Sequence, residues 1–322
     1  MPPSRDKQSL HVGKSQSALE STSMIRRAED LARLCCVTDG QEFRLKEFEP
    51  GSKFGFHSED HPLAKQALES GVAELARLQD MFYAQDRWAM LLIFQGIDAA
   101  GKDGAIKHVM SGINPQGCQV YSFKQPSTEE LNHDYLWRCM KRLPGRGEIS
   151  IFNRSYYEEV LAVRVHPELL ANQRLPSSLV TDKVWGQRYE DIRNLERYLS
   201  RNGTCVVKFF LNLSRDEQRQ RFLDRLNDPA KNWKFDASDI IERESWDSYQ
   251  KSFDDMICHT ATPENPWFVI PADHKWITRI MVSAIVIDRL TSLKLSYPRA
   301  KGLELDAIQR AKEELRKESH EK

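Results

Sequence analysis

The stretch Leu91–Gly104, LLIFQGIDAAGKDG, constrains this chain more than any other. An apolar run ends at Gly96, four residues intervene, and Gly101 and Lys102 follow. Residues apolar on both faces suit a central strand of a parallel sheet. A glycine-bounded loop that opens a helix turns several backbone N–H groups toward one point, and that point attracts phosphate. The rest of the chain must then supply a sheet under the loop, cations for further phosphate, and carboxylates for a divalent ion.

The hydrophobic pattern supplies the sheet. Strands are expected over 88–95, 119–123, 149–152, 204–211 and 266–270, with helical spacing over 61–87, 126–143, 155–165, 181–200, 214–226, 239–259 and 275–293. Ser127 with Glu130 and Ser214 with Glu217 have the spacing of capping boxes. Strands alternating with helices predict an α/β fold: a three-layer α/β/α P-loop kinase core around a parallel five-stranded sheet. By analogy with nucleotide kinases the first strand belongs in the centre. At 322 residues the chain fits one such domain with tails. Residues 1–38 read as a disordered extension and 39–300 as the domain. Residues 214–235 read as a helical lid and 301–322 as a charged, solvated tail.

Chemistry is concentrated at few positions. In the loop, Gly96, Ala99, Ala100, Gly101 and Gly104 offer backbone to phosphate, and Lys102 offers charge. The residue after the lysine is Asp103 where a hydroxyl is usual, and Asp98 lies inside the loop. Two carboxylates present hard oxygens to Mg2+, or to Mn2+ as the alternative. Asn153 and Arg154 end the third predicted strand beside the loop, where metal and phosphate ligands tend to sit. A surface ion pair is the other reading of Arg154. Glu158 is either the third residue of a cap on Ser155 or a nucleotide contact. Arg221 and Arg225 lie on the lid helix with acidic neighbours, so a solvated face competes with a phosphate clamp. Lys107, Lys124 and Arg164 add cations for a phosphate channel. Trp233, Trp246 and Trp267 read as packing rather than base-stacking residues.

Other classes are disfavoured. Lys+Arg and Asp+Glu both number 47, so no global basic field marks a nucleic-acid binder. No apolar run approaches the roughly 18 residues of a membrane span. Six cysteines without a C-x-x-C pair suggest neither zinc nor disulfides, and a reducing cytoplasm. No nucleophile stands out, which favours direct transfer over a covalent intermediate.

Taken together, GIDAAGKDGAIKHV, SFKQPSTEELNHDYLWR, IFNRSYYEEVLAVRVHP, NDPAKNWKF, RESWDSY and PWFVIPADHKW resemble the polyphosphate kinase 2 family, in order from about Phe43 to Leu293. The resemblance implies a thymidylate kinase-like fold, Mg2+ dependence, and phosphoryl transfer between inorganic polyphosphate and nucleotides. It puts the family's loop aspartate and lysine on Asp98 and Lys102, and its strand-end Asp-Arg pair on Asn153 and Arg154. Asn153, followed by SYYEEVL, is similar to class III members, which phosphorylate AMP and ADP. Class II members, restricted to monophosphates, are the near alternative, and an ATP-dependent kinase of the same fold is another. Homo-oligomers, dimers or tetramers, are also implied. Binding of a phosphate chain by clustered cations releases counterions, so affinity for polyphosphate should fall steeply with salt. A flat salt response in a binding titration would contradict the channel.

Overall fold

The computed structural model describes residues 25–59 and 62–318. The chain enters through a helix over residues 25–35 and a short strand, β1 (Cys36–Val37). Helix α1 (Pro62–Gln85) leads to β2 (Ala89–Gln95), whose seven residues are all buried. Then follow α2 (Lys102–Met110), β3 (Cys118–Ser122) and β4 (Ile149–Asn153). After α3 (Val184–Arg201) and β5 (Thr204–Asn212) come α4 (Arg215–Asn227) and α5 (Trp246–Thr260). Strand β6 (Trp267–Pro271) and helices α6 (Lys275–Ser292) and α7 (Leu303–Glu318) complete the chain.

The sheet order is β1-β6-β5-β2-β4-β3. Strands β2 to β6 are parallel, and β2 is central as expected. The sixth strand, β1, pairs antiparallel with β6 and was invisible to the pattern, because two residues carry no period. Helices α1, α2 and α6 cover one face, and α3 and α5 the other. Twelve of the eighteen residues of α6 are buried, between Trp276 and Leu290, so it is apolar around most of its circumference. Among the described residues no helix is long and apolar enough to cross a membrane.

Three sequence expectations need correction. The expected N-terminal extension is folded from residue 25 on: Ala28, Ala32, Cys35 and Val37 belong to the core. Residues 1–24 lie outside the described part. The expected helix over 126–143 is broken. The Ser127–Glu130 capping box forms in both directions, but it opens only the 3-10 turn Glu130–Asn132. His133 is then extended, and helix resumes for Trp137–Met140. Asp134 provides the restart, accepting from the Leu136 N–H at 3.0 Å. The expected helix over 155–165 is likewise a 3-10 turn (Tyr156–Val160) and one α-turn (Ala162–Val165), divided at Leu161 with φ −115° and ψ −91°.

The arm before α1 is fastened to the domain. Leu45 N–H donates to Asp254 Oδ1 at 2.7 Å, Asn212 Nδ2 to the Phe48 carbonyl at 2.7 Å, and Asp273 N–H to the Pro50 carbonyl at 3.1 Å. Gly40 lies against α5 so closely that a Cβ there would meet the Cys258 carbonyl oxygen at 2.0 Å. Backbone on backbone has no side chain to yield. Gly40→Ala should therefore lower stability by about 2–3 kcal/mol, read by denaturant unfolding. An unchanged midpoint would mean the arm is not seated this way.

Candidate active site

The loop between β2 and α2 follows from its backbone. Gly96 has φ +155° and sits where a Cβ would be 2.9 Å from the Leu211 carbonyl oxygen. Gly101, at φ +98°, caps α2 in the left-handed region. Ala99 reaches φ +63° and Arg154 also φ +63°, although neither is glycine. Such positions cost about 1–3 kcal/mol each and persist only where surroundings over-determine them.

Those surroundings are visible. Gln218 Nε2 on α4 donates to the Asp98 carbonyl at 2.9 Å. Arg221 Nη1 donates to the Ala99 carbonyl at 2.9 Å, and its Nη2 to the carbonyls of Ala272 (2.5 Å) and Asp273 (3.1 Å). Its Nε is bound to Glu217 at 2.8 Å. Arg221 is thus a buried strut that ties the loop to the end of β6, not the closing arm of a lid. Ser214 caps α4 through the Glu217 N–H at 3.2 Å, while the Glu217 carboxylate turns to Arg221 instead of completing the capping box.

Parallel pairing places Phe94 opposite Asn153, so the end of β4 lies beside the start of the loop. Asn153 Nδ2 donates to Asp103 Oδ1 at 2.6 Å, and Arg154 Nη2 to Asp98 Oδ1 at 2.5 Å. Arg154 also approaches Glu158 at 3.8 Å. Glu158, followed by Asp98, holds the guanidinium above its usual range. The expected Asp98, Lys102, Asp103, Asn153, Arg154 and Glu158 therefore meet in one place. Ser155 caps the turn that carries Glu158, but through the Tyr157 N–H, which leaves the Glu158 carboxylate to Arg154.

Lys102 is buried, and its Nζ donates to the carbonyls of Gly96 at 2.6 Å and Ile97 at 3.2 Å. Burial, then the nearby Arg154, pushes the ammonium down to about 8. Two spaces open on either side of the loop. One is a cleft of about 720 Å3 lined by the loop and by Lys124, Arg154, Arg225, Lys231, Lys275 and Arg279 among others. The other is a recess of only about 30 Å3 between Asp98, Arg154, Glu158, Leu161, Asp239, Glu242, Tyr249 and Phe253. Asp239 is raised from its ordinary value by burial and then by the Asp98 charge, and burial and Glu242 raise the Tyr249 hydroxyl.

Some expected cations fall elsewhere. Arg164 pairs with Asp255 at 2.7 Å and with the Tyr189 hydroxyl at 2.6 Å, and it lines neither space. Lys107 is exposed on α2 outside the cleft lining. Arg225 lines the cleft, 3.7 Å from Asp239. Of the three tryptophans, Trp246 and Trp267 pack as expected, but Trp233 is 77 % exposed on the cleft lining. Lys275 and Arg279 were missed: they open a helix that reads as a packed element, and only the fold turns its first residues into the cleft.

A strand, a glycine loop with a buried lysine, and a helix N-terminus at the carboxyl end of a parallel sheet define a P-loop phosphotransferase site. The family model for polyphosphate kinase 2 matches residues 58–297, and the chain belongs to that family. An ADP-polyphosphate phosphotransferase of Rhodopseudomonas palustris is 49% identical over 263 residues, 81% of this chain and 90% of the relative. An AMP/ADP-polyphosphate phosphotransferase of Meiothermus ruber is 42% identical, over 81% of this chain and 92% of its own. The crystal structure of polyphosphate kinase 2 from Arthrobacter aurescens superposes with a TM-score of 0.79 at 36% identity, covering 87% of this chain and 95% of that one.

The lysine sets a pH test. An anion at the loop favours the charged ammonium. Well below about pH 8 the lysine is protonated with or without the anion, and affinity is flat on this account. Above that value the free protein loses the proton first, so affinity should fall by up to about tenfold per pH unit, with proton uptake on binding. Calorimetry with tripolyphosphate in buffers of different ionisation heat reads both. Constant affinity and no uptake through about pH 9.5 would remove Lys102 from the anion site.

Proposed function

We propose that this chain phosphorylates AMP to ADP and ADP to ATP with inorganic polyphosphate as donor. One observation carries the reading. The loop separates a wide cation-lined cleft from a small acidic and aromatic recess, and the two share Asp98, Arg154 and Asp239. A phosphate chain suits the first. A nucleoside, with hydroxyl and amino donors for Glu158 and Glu242 and a ring for Tyr249 and Phe253, suits the second. The names of the two relatives point the same way.

The acceptor phosphate attacks the terminal phosphorus of the chain. A P–O bond forms to the acceptor as the bond to the shortened chain breaks. Phosphate monoesters ionise near pH 6, so the acceptor oxygen needs no general base. Lys102 and Arg154 neutralise charge on the transferring group, and loop N–H groups orient it. Asp98 and Asp103 each use Oδ1 on a side-chain partner and leave Oδ2 without a hydrogen bond to a described residue. Two such hard oxygens fit Mg2+ or Mn2+, which binds through one or two carboxylates, water and substrate phosphates. When bound, such an ion would supply charge neutralisation for the transfer. Among the described residues no group of three potential ligands gathers, in keeping with an ion held partly by substrate.

A recess of about 30 Å3 holds roughly one water. Entry of a nucleotide therefore requires the wall bearing Asp239 and Glu242 to swing outward, which gives the segment after α4 a lid's role. We place the enzyme in the cytoplasm, where its free thiols stay reduced, as a homo-oligomer.

A second reading, ADP as sole acceptor, is favoured by the 49% identical relative named for ADP. Incubating the protein with Mg2+, long-chain polyphosphate and either AMP or ADP decides between them. AMP should yield ADP and then ATP. Turnover of ADP alone would establish the second reading, and no turnover without ATP as donor would overturn both.

A further inference from the structure

Behind the loop lies a fully buried charged cluster that the reaction does not use. Glu196 on α3 and Lys208 on β5 pair at 2.7 Å, with side chains 1% and 0% exposed. The Glu196 Oε1 accepts from the hydroxyls of Tyr156 at 3.0 Å and Tyr157 at 2.6 Å. Lys208 Nζ also donates to the Thr260 carbonyl at 2.8 Å and contacts the Tyr157 hydroxyl at 3.2 Å. Trp267 Nε1 donates to Thr260 Oγ1 at 2.9 Å, and the Trp267 ring meets that of Tyr157 edge-on at 4.8 Å. Burial raises both tyrosines well above their usual value, so they stay donors.

We propose that the Glu196–Lys208 pair is a positioning node for the acceptor recess, fixing two of its walls at once and leaving the wall that bears Asp239 and Glu242 to move. The inference rests on the reading of that recess as the nucleotide site.

One wall is the turn that follows β4. Arg154 stands at φ +63° and Leu161 at φ −115°, ψ −91°, so irregular backbone flanks the 3-10 turn Tyr156–Val160 on both sides. That turn carries Glu158, whose carboxylate faces Arg154. Tyr156 and Tyr157 are its inward side chains, and their hydroxyls end on one carboxylate oxygen. Ser155 is fixed too, by Gln95 Nε2 at 3.1 Å and the Tyr157 N–H at 3.1 Å. The second of these walls is α5, which presents Tyr249 and Phe253 to the recess and ends at Thr260, held by the same lysine. Carboxylate and ammonium therefore join the two walls through the core. Stability alone does not account for the pair, because well-packed apolar residues of similar volume can replace a buried ion pair without loss. Geometry does: a directional bond fixes a tyrosine hydroxyl where an apolar contact would let it slide.

The test uses Tyr157→Phe and the double variant Glu196→Gln/Lys208→Met, which removes the charges together and strands neither. A misplacement of about 1 Å costs about a hundredfold in rate. In the double variant kcat/KM for AMP and ADP should fall about thirtyfold to a hundredfold, with KM for polyphosphate within about twofold of wild type. Tyr157→Phe keeps the ring and should shift the same parameters in the same direction by a smaller factor. Amide exchange over residues 154–161 should quicken in both variants, while β2 stays protected. Wild-type acceptor kinetics and exchange in a folded variant would overturn the node. Equal losses toward donor and acceptor would overturn it too, since they would mark a general loss of structure. If the wild-type protein itself proves inactive with polyphosphate, the functional reading fails, while the exchange measurement still decides whether the node holds the turn.

Discussion

A cation buried under a phosphate loop has to be held by groups other than water. Lys102 meets that need with the carbonyls of Gly96 and Ile97. This forces the loop to curl back over its own lysine, which is why Gly96 and Gly101 take φ values that side chains resist. The loop, so curled, cannot stand alone. Gln218 and Arg221 hold two of its carbonyls from α4, and Arg221 passes the restraint on to the end of β6. Arg154 pairs with Asp98 from the β4 side. The buried lysine and the sheet's carboxyl edge are one mechanical unit.

The electrostatics of that unit are divided by side. Cations collect in the cleft, and carboxylates collect in the recess beside aromatic rings. At the boundary the two signs are already paired in Asp98 and Arg154, and on the cleft side Asp103 accepts from the neutral Asn153 amide. Each pair holds its carboxylate by one oxygen only, so the loop stays polar without being spent. The buried Glu196–Lys208 pair follows the same logic deeper in the core: strong directional bonds are placed where irregular backbone must hold a fixed shape.

How far this was legible in the chain depends on the range of the interaction. The five parallel strands repeat an apolar period, and each was readable to within a residue or two; the long helices were readable too, but the one expected over 239–259 is a short helix and a 3-10 turn before α5 begins at Trp246. The turns after Ser127 and Ser155 were not readable. A capping box announces where a helix starts and says nothing about how soon His133 or Leu161 stops it. In the site, Asp98, Lys102, Asp103, Asn153, Arg154 and Glu158 were found because strand ends and loops in α/β sheets converge at one edge. Arg221 was found for the wrong role, since a helix pattern cannot show that every guanidinium nitrogen already has a partner. Lys275 and Arg279 were overlooked inside an apolar helix.

The local pattern alone therefore pointed to the reaction class: a strand, a glycine loop and a helix start are contiguous, so the phosphate-binding motif is legible before any long-range pairing is known. Pairing across distance was decided by the folded chain. Arg164 went to Asp255 and Lys107 to solvent, while the first turn of α6 came round to the cleft. The two residues of β1 became a strand only because β6 offered an open edge. A side chain's charge is written in its residue type, but its partner depends on which elements the sheet brings alongside it.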